Sequence, residues 1–260
     1  MTMRAGWLVL AMVLALPAQA AMVERPIEYS VEGKAMQSVL VYDDAVKTAR
    51  PGLVMTPDWL GISPASIALA KQIAGKDYVI LVADVYGSTV RPRNTDEALA
   101  TVKPLYADRA ILRARINAAL VQIKAQVGKA PLDGKHWGAF GFCFGGTTTL
   151  DLARSGADVG GVVSFHGGLE GDPAFKNRIK ARVLVLHGAD DSYEPPAQIA
   201  AFEQEMRDAG ADWQFIAYGG AVHCFAIPGA NREGCKYDER TAKRAFAQMR
   251  AFLAELFATR

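Results

Sequence analysis

The hexapeptide Gly141-Phe142-Cys143-Phe144-Gly145-Gly146 constrains the fold of this chain most. It follows the strand-like run His136-Trp137-Gly138-Ala139-Phe140 and precedes Thr147-Thr148-Thr149-Leu150-Asp151-Leu152-Ala153, which suits a helix. A strand that becomes a helix within one residue strains that residue's dihedrals and crowds the backbone around it, so glycine is needed on both sides. Gly141 and Gly145 meet that need. The pattern is G-x-S-x-G with cysteine replacing serine, and it leaves the Cys143 sulfur exposed at the carboxyl end of its strand. There the N–H groups and positive dipole end of the following helix favour negative charge on sulfur. The competing reading is a cysteine simply buried in a glycine-rich turn.

The flanking chain alternates short apolar strands with helical stretches. Ile27–Val31 and Ser38–Tyr42 around Glu32-Gly33-Lys34 read as a hairpin. Strands follow at Gly52–Thr56, Tyr78–Ala83, Val159–Phe165, Arg182–Leu186 and Trp213–Tyr218. Helices are expected from Ser63-Pro64 to about Ala74, over one long stretch from Ala107 to Val127, from about Pro195 to Ala209, and from Tyr237 to the C-terminus. This alternation predicts an α/β fold, a mostly parallel central sheet with helices on both faces, with any ligand at the carboxyl ends of the strands.

The first twenty residues stand apart. Met1-Thr2-Met3-Arg4, an apolar run to Leu16 and Pro17-Ala18-Gln19-Ala20-Ala21 describe a cleaved secretory signal over 1–20, too short to span a bilayer. A single domain over 21–260 is then expected, periplasmic or secreted, monomeric and free of the membrane once mature. The 29 basic and 27 acidic residues of the full chain nearly cancel and form no basic cluster, which argues against a nucleic-acid partner and for a small molecule. Three cysteines leave one over after any pairing. Cys224 and Cys235 flank a short loop and would pair in an oxidising compartment, leaving Cys143 free. A thiol redox role is weak, because no Cys-x-x-Cys is present.

A cysteine nucleophile needs a base, and the base a carboxylate to orient it. Of the four histidines, His136 begins the nucleophile strand and should lie at the wrong end of the sheet; His166 would line a pocket; His187 would brace a turn. His223 follows the last strand, and the chain order nucleophile, acid, histidine selects Cys143, Asp191 and His223, with neighbouring Asp190 left to hold the turn.

With these elements placed, the sequence resembles the dienelactone hydrolase family of α/β-hydrolases from about Val23 to the C-terminal helix. The resemblance rests on Gly141–Gly146, His187-Gly188-Ala189-Asp190-Asp191-Ser192-Tyr193-Glu194-Pro195, Tyr218-Gly219-Gly220-Ala221-Val222-His223-Cys224-Phe225 and Asp84-Val85-Tyr86. It implies hydrolysis of an ester or lactone through a thioester on Cys143, without metal or organic cofactor. The backbone N–H groups of Phe144 and Trp59 would hold the oxyanion. Asp58 stands where the family has a glutamate, and Ile227 where it has a substrate-binding arginine. Asp58, Arg91 (or Arg93) and His166 are the expected substrate contacts, and dienelactone itself is expected to be a poor substrate. The alternatives are a general carboxylesterase or small-peptide hydrolase on this fold, and a catalytically silent scaffold.

Overall fold

Two ten-residue strands, β1 (Met22–Val31) and β2 (Lys34–Asp43), open the fold as a hairpin. Glu32 and Gly33 join them with φ of 49° and 78°, the left-handed pair whose twist matches a two-residue hairpin. The structure, a computed structural model, describes residues 22–172 and 179–258; the expected signal peptide over 1–20 lies outside the described residues. The chain continues through β3 (Arg50–Thr56), α1 (Pro64–Ala74), β4 (Val79–Val82), α2 (Thr95–Ala107), α3 (Arg109–Lys124), β5 (Leu132–Phe142) and α4 (Phe144–Arg154). It then forms β6 (Gly161–Phe165), β7 (Arg182–Gly188), α5 (Pro196–Asp208) and β8 (Trp213–Tyr218). A short hairpin of β9 (Asn231–Arg232) and β10 (Cys235–Lys236) precedes the closing helix α6 (Glu239–Ala258).

The main sheet runs β1-β2-β4-β3-β5-β6-β7-β8. β2 pairs antiparallel on both sides, and every other pairing is parallel. Because side chains alternate along a strand, the sheet feeds two cores. Val54, Ala139 and Val185 cluster with Leu112, Ile116 and Phe202 of α3 and α5, while Leu53, Phe140 and Leu184 cluster with Ile73 of α1 and Met249 of α6. Burial on both faces is why these strands read as continuous apolar runs. Among the described residues no helix is long and apolar enough to cross a membrane.

One expectation is corrected here. The long helix expected from Ala107 to Val127 is the second of two. Asp108, at φ −130° and ψ 89°, ends α2 and caps α3, its carboxylate accepting from the Ala110 N–H at 3.0 Å. The polar stretch before it hides a helix start, since Asn94 Oδ1 accepts from the Glu97 N–H at 2.9 Å.

The parallel register fixes where chemistry can occur. Phe142 pairs with Phe165, Phe165 with Leu186, and Gly188 with Tyr218, so the chain leaves β5, β6, β7 and β8 along one edge of the sheet.

Candidate active site

Cys143 sits between β5 and α4 at φ 53° and ψ −119°, a left-handed backbone that costs on the order of 1–3 kcal/mol in a non-glycine residue. The surroundings hold it there. A Cβ at Gly141 would overlap the Gly145 carbonyl, and one at Gly145 would overlap the carbonyl oxygens of Thr56 and Pro57. The Cys143 N–H donates to Phe165 O at 3.0 Å and to His166 Nδ1 at 3.2 Å. The Phe144 N–H, first of α4, has no hydrogen-bond partner among the described residues, as expected of a helix's leading amides.

His223 lies in the loop after β8. Its Nε2 is 3.1 Å from Cys143 Sγ and its Nδ1 is 2.7 Å from Asp191 Oδ2. Asp191, in the loop after β7, has a buried side chain whose Oδ1 accepts from the Tyr193 N–H at 3.0 Å. Asp190 is exposed, and its own N–H donates to Ala221 O. Burial alone would lower the His223 pKa; hydrogen bonds to Asp191 and Cys143 outweigh it and hold the imidazolium up to about 10. A disulfide joins Cys224 to Cys235, and the Lys236 N–H donates to His223 O at 2.9 Å, so the β9–β10 hairpin grips the histidine loop. His187 packs against Phe215 instead.

These groups open onto a cavity of about 1060 Å³ lined by Cys143, Phe144, His223, Asp58 and Trp59. The Trp59 loop is pinned: the Tyr86 hydroxyl donates to Trp59 O at 2.9 Å, and Asp58 Oδ1 accepts from the Leu60 N–H at 2.9 Å. Burial raises the Asp58 pKa, against the Leu60 N–H and the charge of Arg232. No hydrogen bond joins Asp58 to Cys143 among the described residues.

Two expected substrate contacts do not line this cavity. His166 is fully buried; burial, then the charge of His223, pushes its pKa well down, and its neutral Nδ1 supports the Cys143 amide. Arg91 donates to the carbonyls of Gly87 and Val90 and pairs with Asp84, bracing the loop after β4. Arg93 does reach the cavity.

Sequence reasoning gave no role to two other lining residues, Arg232 and Glu194. Arg232 lies between the bridged cysteines, its guanidinium 5.0 Å over the Trp59 ring. Glu194 lies inside the His187–Pro195 motif, and its Oε2 accepts from the Leu169 N–H at 3.1 Å. Burial first, offset by the Leu169 N–H and reinforced by Asp191, raises its pKa to about 7. A carboxyl whose folded pKa lies above its unfolded one gives stability that is complete below about 4.5 and is lost as pH rises through about 7. Glu194→Gln should therefore match wild type in urea unfolding near pH 4.5 and exceed it at pH 8 by about 1–2 kcal/mol, after discounting for solvent at the cavity wall. Equal stability at both pH values would show that Glu194 ionises freely.

Among the described residues no group of three or more His, Cys, Asp or Glu side chains is arranged to hold a metal ion.

Known proteins share this architecture. A dienelactone hydrolase-like promiscuous phosphotriesterase from metagenomic libraries is 34% identical, with a TM-score of 0.85 over 91% of this chain and 99% of that one. A protein designated m3DLH is 36% identical, with a TM-score of 0.83 over the same shares. An uncharacterised protein of Caenorhabditis elegans, K02A2.1, is 37% identical over 155 residues, 56% of this chain and 95% of the relative. The model of the dienelactone hydrolase family matches residues 36–257. A match across most of the described chain, together with a mostly parallel eight-stranded sheet, means that this chain belongs to the dienelactone hydrolase family, a hydrolase family of the α/β-hydrolase superfamily.

Proposed function

We propose that the protein hydrolyses a carboxylic ester or lactone through a thioester on Cys143. The observation that carries this reading is the continuous chain Cys143 Sγ, His223 Nε2, His223 Nδ1 and Asp191 Oδ2, with contacts of 3.1 and 2.7 Å, opening onto the cavity. Cys143 Sγ gives its proton to His223 Nε2 and attacks the carbonyl carbon, and the oxyanion that forms is held by the N–H groups of Phe144 and Trp59. Collapse breaks the bond to the leaving oxygen, which takes the proton from His223 Nε2. Water then attacks the thioester and gives its proton to His223, and the acid leaves from Cys143 Sγ. Asp191 holds the imidazole in the tautomer that presents Nε2 to sulfur.

The cysteine pair at Cys224 and Cys235 suits an oxidising compartment and, with the signal-like first twenty residues, supports a periplasmic or secreted enzyme. The test of mechanism is trapping. Acid-quenched enzyme taken during p-nitrophenyl acetate turnover should carry an acetyl group on the peptide containing Cys143, removable by hydroxylamine. An acetyl group found on a serine instead, or none during steady turnover, would sink the thioester.

A further inference from the structure

The cavity is larger than attack on a small lactone needs, and much of its lining is apolar in a way the core does not explain. Helix α1 buries Ala70, Ile73 and Ala74 against the sheet, while Ala65, Ala68 and Leu69 line the cavity with only Ser66 and Gln72 as polar companions and no charged side chain from this helix. A helix face turned to water ordinarily carries charged side chains. Helix α2, which also lines the cavity, buries Ala98, Val102 and Leu105 yet leaves Leu99 and Tyr106 exposed at 50% and 43%. Of the five large hydrophobic side chains that stay exposed among the described residues, Leu99, Tyr106 and Tyr193 all line this one cavity, and only Val121 and Val127 lie elsewhere. Exposed apolar surface gathered around one concavity marks a ligand site. Its volume of about 1060 Å³ is that of a site for a drug-sized ligand.

We propose that the walls of α1 and α2 form an apolar subsite for the large hydrocarbon part of the substrate, an ester bearing a medium-length alkyl, acyl or aryl group. The inference rests on the hydrolase reading above and specifies its substrate class. Attack occurs at Cys143 while the hydrocarbon lies against Ala68 and Leu99, which line the same cavity. Each methylene buried there is worth about 0.8 kcal/mol, up to about fourfold in kcat/KM.

The experiment measures kcat/KM over two series, p-nitrophenyl esters from acetate to octanoate and alkyl acetates from ethyl to octyl, in wild type, Ala68→Phe and Leu99→Glu. Both substituted positions are exposed, so folding is not at stake. Activity should rise with chain length in at least one series by about tenfold or more overall. Ala68→Phe fills the subsite and Leu99→Glu charges it; each should flatten that rise while acetate turnover stays within about twofold. Wild type that cleaves acetate with a flat or falling profile in both series overturns the proposal, and so does a rise that survives both substitutions. Octanamide binding to Cys143→Ala, measured by calorimetry against acetamide, separates the two readings. If wild type turns over no ester, tight octanamide binding that Ala68→Phe abolishes keeps the subsite and removes only the hydrolase mechanism. Equal, weak binding of both amides removes the subsite.

Discussion

Cys143→Ala is expected to lower kcat/KM for p-nitrophenyl acetate by about ten-thousandfold or more, because in the proposed mechanism it removes the attacking atom and leaves His223 and Asp191 with no nucleophile to activate. The protein should stay folded. Cys143 is partly accessible, makes no disulfide, and donates its two elbow hydrogen bonds from backbone N–H, which alanine keeps. The φ of 53° burdens alanine no more than cysteine. Turnover and thermal unfolding should be measured on the same sample. Loss of turnover at unchanged melting temperature assigns the chemistry to sulfur, whereas persistence of most of the activity would remove Cys143 from the reaction and point to another nucleophile.

Gly145→Ala should cost about 3 kcal/mol or more of folding free energy, equivalent to roughly 6–12 °C in melting temperature for a domain of this size. The added Cβ meets the Thr56 and Pro57 carbonyl oxygens, which are backbone and cannot swing away as a side chain would. Those atoms end β3 and begin the loop that carries Asp58 and Trp59. Any relaxation that spares the fold therefore shifts the Trp59 N–H proposed to hold the oxyanion, and ester turnover should fall as well. Gly219→Ala is the control: nothing lies within 4 Å of its Cβ, so stability should change by no more than about 0.5 kcal/mol. Similar urea midpoints for the two variants would mean that the elbow is not the tight junction described.

Most of the architecture was legible because local signals agreed with it. The strands are apolar runs that the sheet buries on both faces, and the Gly-x-Cys-x-Gly turn announces its geometry. The histidine and aspartate were legible through chain order, since each follows a strand whose neighbours fix the edge at which it emerges. What escaped depends on tertiary placement. The break at Asp108 was hidden because the same residue serves as the end of one helix and the cap of the next, leaving the apolar spacing almost uninterrupted. His166 and Arg91 are chemically suited to a substrate, but depth and loop carbonyls claim them, and neither is written in local sequence. Glu194 and Arg232 reach the cavity through loop paths that no periodicity encodes.

The wide sequence separation of the site also bears on how the protein acquires activity. His223 lies 32 residues from Asp191 and 80 from Cys143, and β6, β7 and β8 must all be in place before the three side chains meet. Contacts of this range form late in folding. A nascent chain that has completed only the strands up to β6 carries the elbow without His223, the base of the proposed mechanism. Release of p-nitrophenol during refolding is therefore a reporter of complete sheet assembly, and should lag behind the recovery of far-ultraviolet circular dichroism.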